Sequence, residues 1–166
     1  MPKYEIIFES KNLYYIKLNE LLLNDYLEMV NNPEIQKGIS HQIKKFTYED
    51  ELTWLKMKLK EKAPIFTIIE KETNNFVGNI EIMHIVNNIG EIGICLALTK
   101  QNKHYGQEAI KALINYGYEN LNIKGYELNV YNDNYRAIHC YEKVGFTIYG
   151  PGKKSDDIHM IYNKKE

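Results

Sequence analysis

The stretch Leu128–Phe146, LNVYNDNYRAIHCYEKVGF, decides how the rest of the chain is read. Leu128 and Val130 flank polar Asn129, the period-2 alternation of a strand. Asn134 suits a helix N-cap, because its side-chain oxygen accepts a free backbone N–H of the first turn. Ala137, Ile138 and Tyr141 then fall on one helical face. Gly145 suits the left-handed residue that ends a helix, and Phe146 begins another strand. Taken alone, this stretch makes Tyr141 a core aromatic whose hydroxyl reaches an exposed edge.

Working upstream, Glu91–Ala109 reads EIGICLALTKQNKHYGQEA. A strand ends at Leu98, a short polar loop follows, and a helix begins near Gly106. Unpaired N–H groups of a first helical turn, with the positive end of the dipole, favour phosphate oxygens. Gly106 lets backbone approach such a group closely; the alternative is a plain turn in which glycine relieves strain. Ile110, Leu113, Ile114, Gly117 and Leu121 line one face of the helix that follows.

Before that junction the spacing predicts strands at Ile65–Glu70, Phe76–Val86 and Ile89–Leu98. They are joined by Asn74-Asn75 and Asn87-Asn88, and asparagine tolerates the positive φ of tight hairpins. Leu13–Leu18 is a first strand. Leu22, Tyr26, Met29 and Val30 mark a helix that stops near Asn31-Asn32-Pro33. Thr47 and Asp50 form a capping box, after which Leu52, Leu55 and Leu59 share a face. Tyr126–Tyr131 is a fifth strand and Asn134–Lys143 a short helix, with strands Phe146–Tyr149 and Ile158–Tyr162 closing the chain. The expected order is β-α-α-β-β-β-α-β-α-β-β. It describes an α/β (α+β) fold with a mixed, mostly antiparallel sheet of about six to seven strands and about four helices. With no repeat or linker, residues 1–166 read as a single domain.

Composition narrows the function. The chain is 44% apolar and 26% charged, with 21 basic against 22 acidic residues. That balance gives no overall field to recruit nucleic acid or a membrane. No apolar run approaches the roughly 20 residues that span a bilayer. The start, Met1-Pro2-Lys3-Tyr4-Glu5, lacks a signal-peptide pattern, so cytoplasm is the expected location. Cys95 and Cys140 build neither a disulfide framework nor a metal-ligand spacing, and the five histidines are scattered; no metal is expected.

Together and in this order, the two stretches resemble the GNAT superfamily of N-acetyltransferases. Its cofactor loop, Gln/Arg-x-x-Gly-x-Gly/Ala, is matched by Gln101-Asn102-Lys103-His104-Tyr105-Gly106. Its later signature is matched by Asn134-Tyr135-Arg136-Ala137 and Tyr141-Glu142-Lys143-Val144-Gly145-Phe146. Asn31-Asn32-Pro33-Glu34 further resembles the branch of ribosomal-protein N-terminal and spermidine acetyltransferases. The likeness runs from Leu13 onward.

The resemblance implies that an amine attacks the thioester of acetyl-CoA directly, without an acyl-enzyme. The acceptor is then a primary amine on a small molecule, a polyamine or a protein N-terminus. It implies backbone contacts to the acetyl and pantetheine arm from Leu96, Ala97 and Leu98. The pyrophosphate falls to Gln101, Asn102, Lys103, His104, Tyr105, Gly106 and Gln107. Asn134 and Ala137 line the pantetheine side, and Tyr141 stands at the sulfur as general acid. A phenol near 10 is a poor donor to a thiolate near 8.5, by roughly 2 kcal/mol, so hydrogen bonding to the developing thiolate carries much of that role. Glu91 is the first candidate base and Glu81, on the adjacent strand, the second; a cross-strand ion pair is the competing reading of either. His104 stands at the first loop glycine, where its ring is expected to turn outward and lend charge to the phosphates when protonated. A CoA-binding sensor or a protein-binding module with little catalysis is the alternative function, and a homodimer is left open.

Overall fold

The computed structural model describes residues 3–40 and 43–164. One sheet holds eight strands in the order β1 (Ile6–Glu9), β2 (Leu13–Lys17), β3 (Ile65–Glu70), β4 (Phe76–Val86), β5 (Ile89–Leu96), β6 (Gly125–Tyr131), β8 (Asp157–Tyr162) and β7 (Phe146–Pro151). Neighbours are antiparallel except β5 and β6. Five helices cover it: α1 (Leu23–Asn31), α2 (Pro33–Ile39), α3 (Tyr48–Glu61), α4 (Tyr105–Asn120) and α5 (Tyr135–Val144).

Strand alternation sorts the side chains onto two faces. On one, Phe66, Ile68, Ile80, Ile82, Ile92, Leu128 and Val130 pack against Ile110, Leu113 and Ile114 of α4 and Ile138 of α5. On the other, Ile16, Ile65 and Ile69 lie beneath Leu23 and Tyr26 of α1 and Leu55 of α3. Helix α4 sits close to the sheet at Gly117, where an added Cβ would meet the Tyr126 hydroxyl at 2.0 Å. That hydroxyl donates to the Ile114 carbonyl at 2.8 Å.

The structure corrects the expected elements in four places. An extra edge strand, β1, comes from the run Ile6-Ile7-Phe8, which lacks the alternation that marks a strand and pairs with β2. Phe8 stacks on both Tyr15 and Tyr116 at 4.3 Å. The signal Asn31-Asn32-Pro33 ends one helix and starts another. Asn32 accepts the Glu34 N–H at 2.9 Å, and Pro33 fills the first position of α2, where its missing N–H costs nothing. Strand β5 stops at Leu96, and Leu98–Lys100 is a single 3-10 turn. Leu59 is exposed, since the inward face of α3 is formed by Glu51 and Leu55.

The feature that positions the site is a change of register. β5 pairs with β6 only over Ile89–Glu91 against Gly125–Glu127, although β5 runs on to Leu96 and β6 to Tyr131. Past Glu91 the two strands no longer pair, and a wedge opens in the middle of the sheet.

Candidate functional site

The β5 wall of the wedge offers backbone groups. Ala97 donates its N–H to the Val77 carbonyl at 2.8 Å. The Cys95 carbonyl also turns toward β4, where a Cβ on Gly78 would lie 2.1 Å from it. Alternation along the strand therefore sends the backbone groups of Ile94 and Leu96 the other way, into the wedge. The Leu96 carbonyl accepts from Gln101 Nε2 at 3.1 Å, which ties the following loop to the strand end. Ala97 spends its N–H on β4, and Leu98 lies exposed on the 3-10 turn, so only Leu96 of the three expected residues faces the wedge through its backbone.

The loop and α4 form the mouth. His104 is the N-cap of α4 at φ 63°, and its side chain makes no capping bond. The first-turn N–H groups of Tyr105, Gly106 and Gln107 are thus open to an anion, at the positive end of a 16-residue helix. The exposed His104 ring leaves the backbone path that glycine would take, because histidine is among the residues that tolerate left-handed φ. Asn102 adopts φ 63° as well, and Lys103 is exposed beside it. A Cβ on Gly106 would lie 3.4 Å from Cys140 Sγ and 3.7 Å from Leu96 Cδ1, so strand end, helix start and α5 converge here. Gln101 Oε1 also accepts from Arg136 of α5.

A buried ionic cluster beneath the loop holds it in place. Glu70, 3% exposed, accepts from the Tyr105 hydroxyl at 2.6 Å, Thr73 Oγ1 at 2.7 Å and Lys100 Nζ at 3.1 Å. These donors, Tyr105 first, hold its carboxyl well below the usual range, at about 2. The same bond, helped by burial, pushes the Tyr105 phenol up to about 12. One turn further along α4, Glu108 accepts from Ser10 and from the Asn12 backbone at 2.8 Å. Nothing in the local pattern marks Glu70 as the partner of Lys100 and Tyr105, or Glu108 as the partner of Ser10 and Asn12, because these bonds span long sequence separations.

Helix α5 brings Tyr141 to the wedge. Asn134 caps it, accepting the Ala137 N–H at 3.4 Å. Tyr141 is buried, meets Phe146 edge-on at 6.0 Å, and feels both Cys140 and Cys95 electrostatically. Burial pushes its phenol far above the ordinary range, which makes the hydroxyl a hydrogen-bond donor rather than a ready source of protons.

Glu91 sits at the apex, in the last paired register of β5 with β6. Its Oε1 accepts from Asn129 Nδ2 at 2.8 Å and pairs with Lys153 Nζ at 3.2 Å, while Oε2 meets His84 Nδ1 at 3.2 Å. The carboxylate is therefore a buried member of a polar network. Glu81, opposite Gly93 on β4, lines a groove of about 360 Å³ with Lys58 and His84, and burial raises its pKa. Glu51 of α3 was not expected: it is 5% exposed, and its Oε2 has no hydrogen-bond partner. Its spacing, four residues before Leu55 on the inward face, is the signal that would have found it. Among the described residues no three His, Cys, Asp or Glu side chains gather as a metal site.

The chain matches the family model for the acetyltransferase (GNAT) domain over residues 13–147. It is 25% identical over 153 residues to acetyltransferase PseH of Campylobacter jejuni, covering 92% of each. It is 29% identical over 100 residues to spermidine N(1)-acetyltransferase of Vibrio cholerae, covering 58% of each. Among solved structures, a GNAT-family acetyltransferase from Bacillus anthracis has a TM-score of 0.81 at 21% identity, over 92% of this chain and 95% of that one. The Vibrio cholerae spermidine N-acetyltransferase bound to CoA and spermine gives 0.79 at 19%, over 92% and 95%. These structural likenesses are of fold.

Proposed function

This chain belongs to the GNAT acetyltransferase family and transfers the acetyl group of acetyl-CoA to an amine, and on that premise we propose how its own residues divide the work. Acetyl-CoA supplies an activated acyl group whose carbonyl needs only placement beside the amine and stabilisation of the charge that builds on oxygen. The observation that carries the assignment is the wedge: unpaired β5 backbone on one wall, an uncapped helix start at its mouth and Tyr141 beside it.

The N–H groups of Tyr105, Gly106 and Gln107 take the pyrophosphate oxygens, with Lys103 and His104 adding charge from the rim. The Ile94 backbone and the Leu96 N–H take the amide-bearing arm as an added strand would, and direct N–H toward the acyl oxygen. Asn134 and Ala137 close the opposite side from α5. The amine nitrogen forms the new C–N bond as the C–S bond breaks, and the departing thiolate, steadied by a hydrogen bond from Tyr141, takes up the proton that the new amide nitrogen sheds. Glu91, at the apex, receives the ammonium proton through water, with Asn129 and Lys153 holding its orientation.

The acceptor is a primary amine on a small molecule, of the kind that the spermidine-acetylating relative modifies. A thiol-release assay with acetyl-CoA over polyamines, amino sugars, aminoglycosides and short peptides tests this reading. Amine-dependent CoA release with at least one small-molecule amine is expected. Release with peptides alone assigns the acceptor to protein N-termini instead, and release with none removes catalysis from the reading.

A further inference from the structure

The end of strand β4 departs from its own alternation at one residue. Met83 stands opposite Glu91 and Val86 opposite Ile89, so two residues of β4, His84 and Ile85, share the single Gly90 of β5. His84 takes φ 47° inside this bulge, a left-handed backbone that few side chains tolerate, histidine among them. Regular alternation would place its ring with Ile80 and Ile82 on the face packed by α4. The bulge turns it back toward the Glu91 side, where Nδ1 lies 3.2 Å from Oε2 of that carboxylate. Backbone held in such a conformation gathers at functional sites. The pair also joins two unlike environments, since the Glu91 side chain is 10% exposed and that of His84 64%. Of the described partners of Glu91, only the ring can take a proton from it. Asn129 has no basic nitrogen, and Lys153 brings an ammonium ion with no acceptor. A second imidazole, His159, bonds instead to Glu127. The His84 ring lines the groove beside β4 with Lys58 and Glu61 of α3 and Glu81 of its own strand, so charges of both signs surround it.

We propose that His84 is the residue through which the acceptor's proton leaves the site, acting on the reaction only through Glu91. The inference rests on the reading of Glu91 as the base, and adds a route from that buried carboxyl to water. An ammonium acceptor sheds two protons in becoming an amide. The thiolate takes one and Glu91 the other, which it must lose before the next turnover. An amine seated over the apex covers the little of the carboxyl that faces solvent, and the ring is then its outlet. The proton passes from Glu91 Oε2 to the lone pair of His84 Nδ1, which restores the carboxylate and forms an imidazolium. That cation gives its Nε2 proton to water, and exchange with water returns the neutral ring to the tautomer whose Nδ1 accepts. Imidazole suits the step because, as a class, it gains and loses a proton near neutral pH.

The test uses the whole chain, with spermidine and glucosamine as probe amines and thiol release measured in dilute buffer. His84→Asn keeps a residue that tolerates the left-handed backbone and can still bond to Glu91, while His84→Gly takes that backbone without a Cβ. Neither variant has a basic nitrogen at this position. Both are expected to melt no lower than wild type, with kcat lower by roughly tenfold or more and the KM for acetyl-CoA within about twofold. Added imidazole should raise the kcat of both variants toward the wild-type value and leave wild type unchanged. A structural His84 predicts a loss that imidazole does not repair, or melts well below wild type in both variants, and either result overturns the proposal. A kcat equal to wild type in the two variants also overturns it. Glu91→Gln separates this inference from the reading beneath it. If that variant is slow and the His84 variants are not, the outlet alone falls. If it turns over like wild type, or if the wild type acetylates neither amine, the base and its outlet fall together.

Discussion

Tyr141 illustrates how burial decides a residue's chemistry. Its phenol is closed off from water and raised well out of the range in which it would give up a proton, so the role proposed for it is a hydrogen bond that strengthens only as negative charge builds on sulfur. Tyr141→Phe is expected to lower kcat by about 10- to 100-fold while changing the KM for acetyl-CoA little, measured where chemistry limits the rate. Unchanged turnover would leave Tyr141 as packing against Phe146. His104 makes a different case. It holds φ 63° at an exposed cap, a geometry that glycine adopts without a Cβ penalty. His104→Gly should melt no lower than wild type and bind acetyl-CoA about two- to fivefold more weakly, since only an exposed side chain at the helix start is removed. Tighter binding would mean that the ring obstructs the phosphates. Both residues were legible from their places in the two motifs. Glu51 was not, because a charged residue in a helix reads as solvated unless its position on the inward face is weighed against its type.

Elements with a clear local pattern were readable, and those whose pattern was absent or read two ways were not. The capping box of Thr47 with Asp50 forms as the spacing required, with bonds of 2.8 and 3.1 Å, and the Asn-Asn hairpins take left-handed φ at Asn74, Asn87 and Asn88. β1 escaped notice because Ile6-Ile7-Phe8 lacks alternation, and α2 because one Asn-Asn-Pro signal both stops and starts a helix. The cluster around Glu70 belongs to this scale too, since it fastens the β3–β4 hairpin to the turn before α4 and to the first residue of that helix. Its folded carboxyl titrates near 2, below its unfolded value, so the stabilisation is complete above the ordinary carboxylate range and is lost as pH falls through about 2. Glu70→Gln should therefore cost on the order of 2 kcal/mol at neutral pH. Denaturant melts of variant and wild type should converge between about pH 5 and pH 2. The same variant should weaken acetyl-CoA binding, because Lys100 and Tyr105 lose the anchor that fixes the start of α4. A gap in stability that persists unchanged at low pH would rule out the charged form of Glu70 as its source.

At the scale of the molecule, the sheet is continuous in order but not in pairing. Strands β1 to β5 and strands β6 to β8 meet along three register pairs, supported by the packing of α4 against α5. The period-2 pattern foretold strands on both sides of this junction and could not foretell where they part, because each strand continues its alternation beyond the last shared register. A molecule that fills the wedge touches both parts at once. Saturating CoA at about 100 times its Kd should stabilise the fold by about 2.7 kcal/mol, or roughly 5 to 10 °C in a melting scan of a chain this size. A shift with inorganic phosphate alone equal to that with CoA would place all the binding energy at the mouth. The unpaired stretch of β5 has one more consequence, which concerns isotope exchange rather than affinity. Amides in the middle of a sheet ordinarily exchange only when the sheet opens. The N–H groups of Ile94 and Leu96, though central in strand order, lack a neighbouring strand on one side and should take up deuterium as quickly as an edge. Cofactor binding should slow them to the pace of the core, which makes these two amides a gauge of occupancy that works before any acceptor is identified.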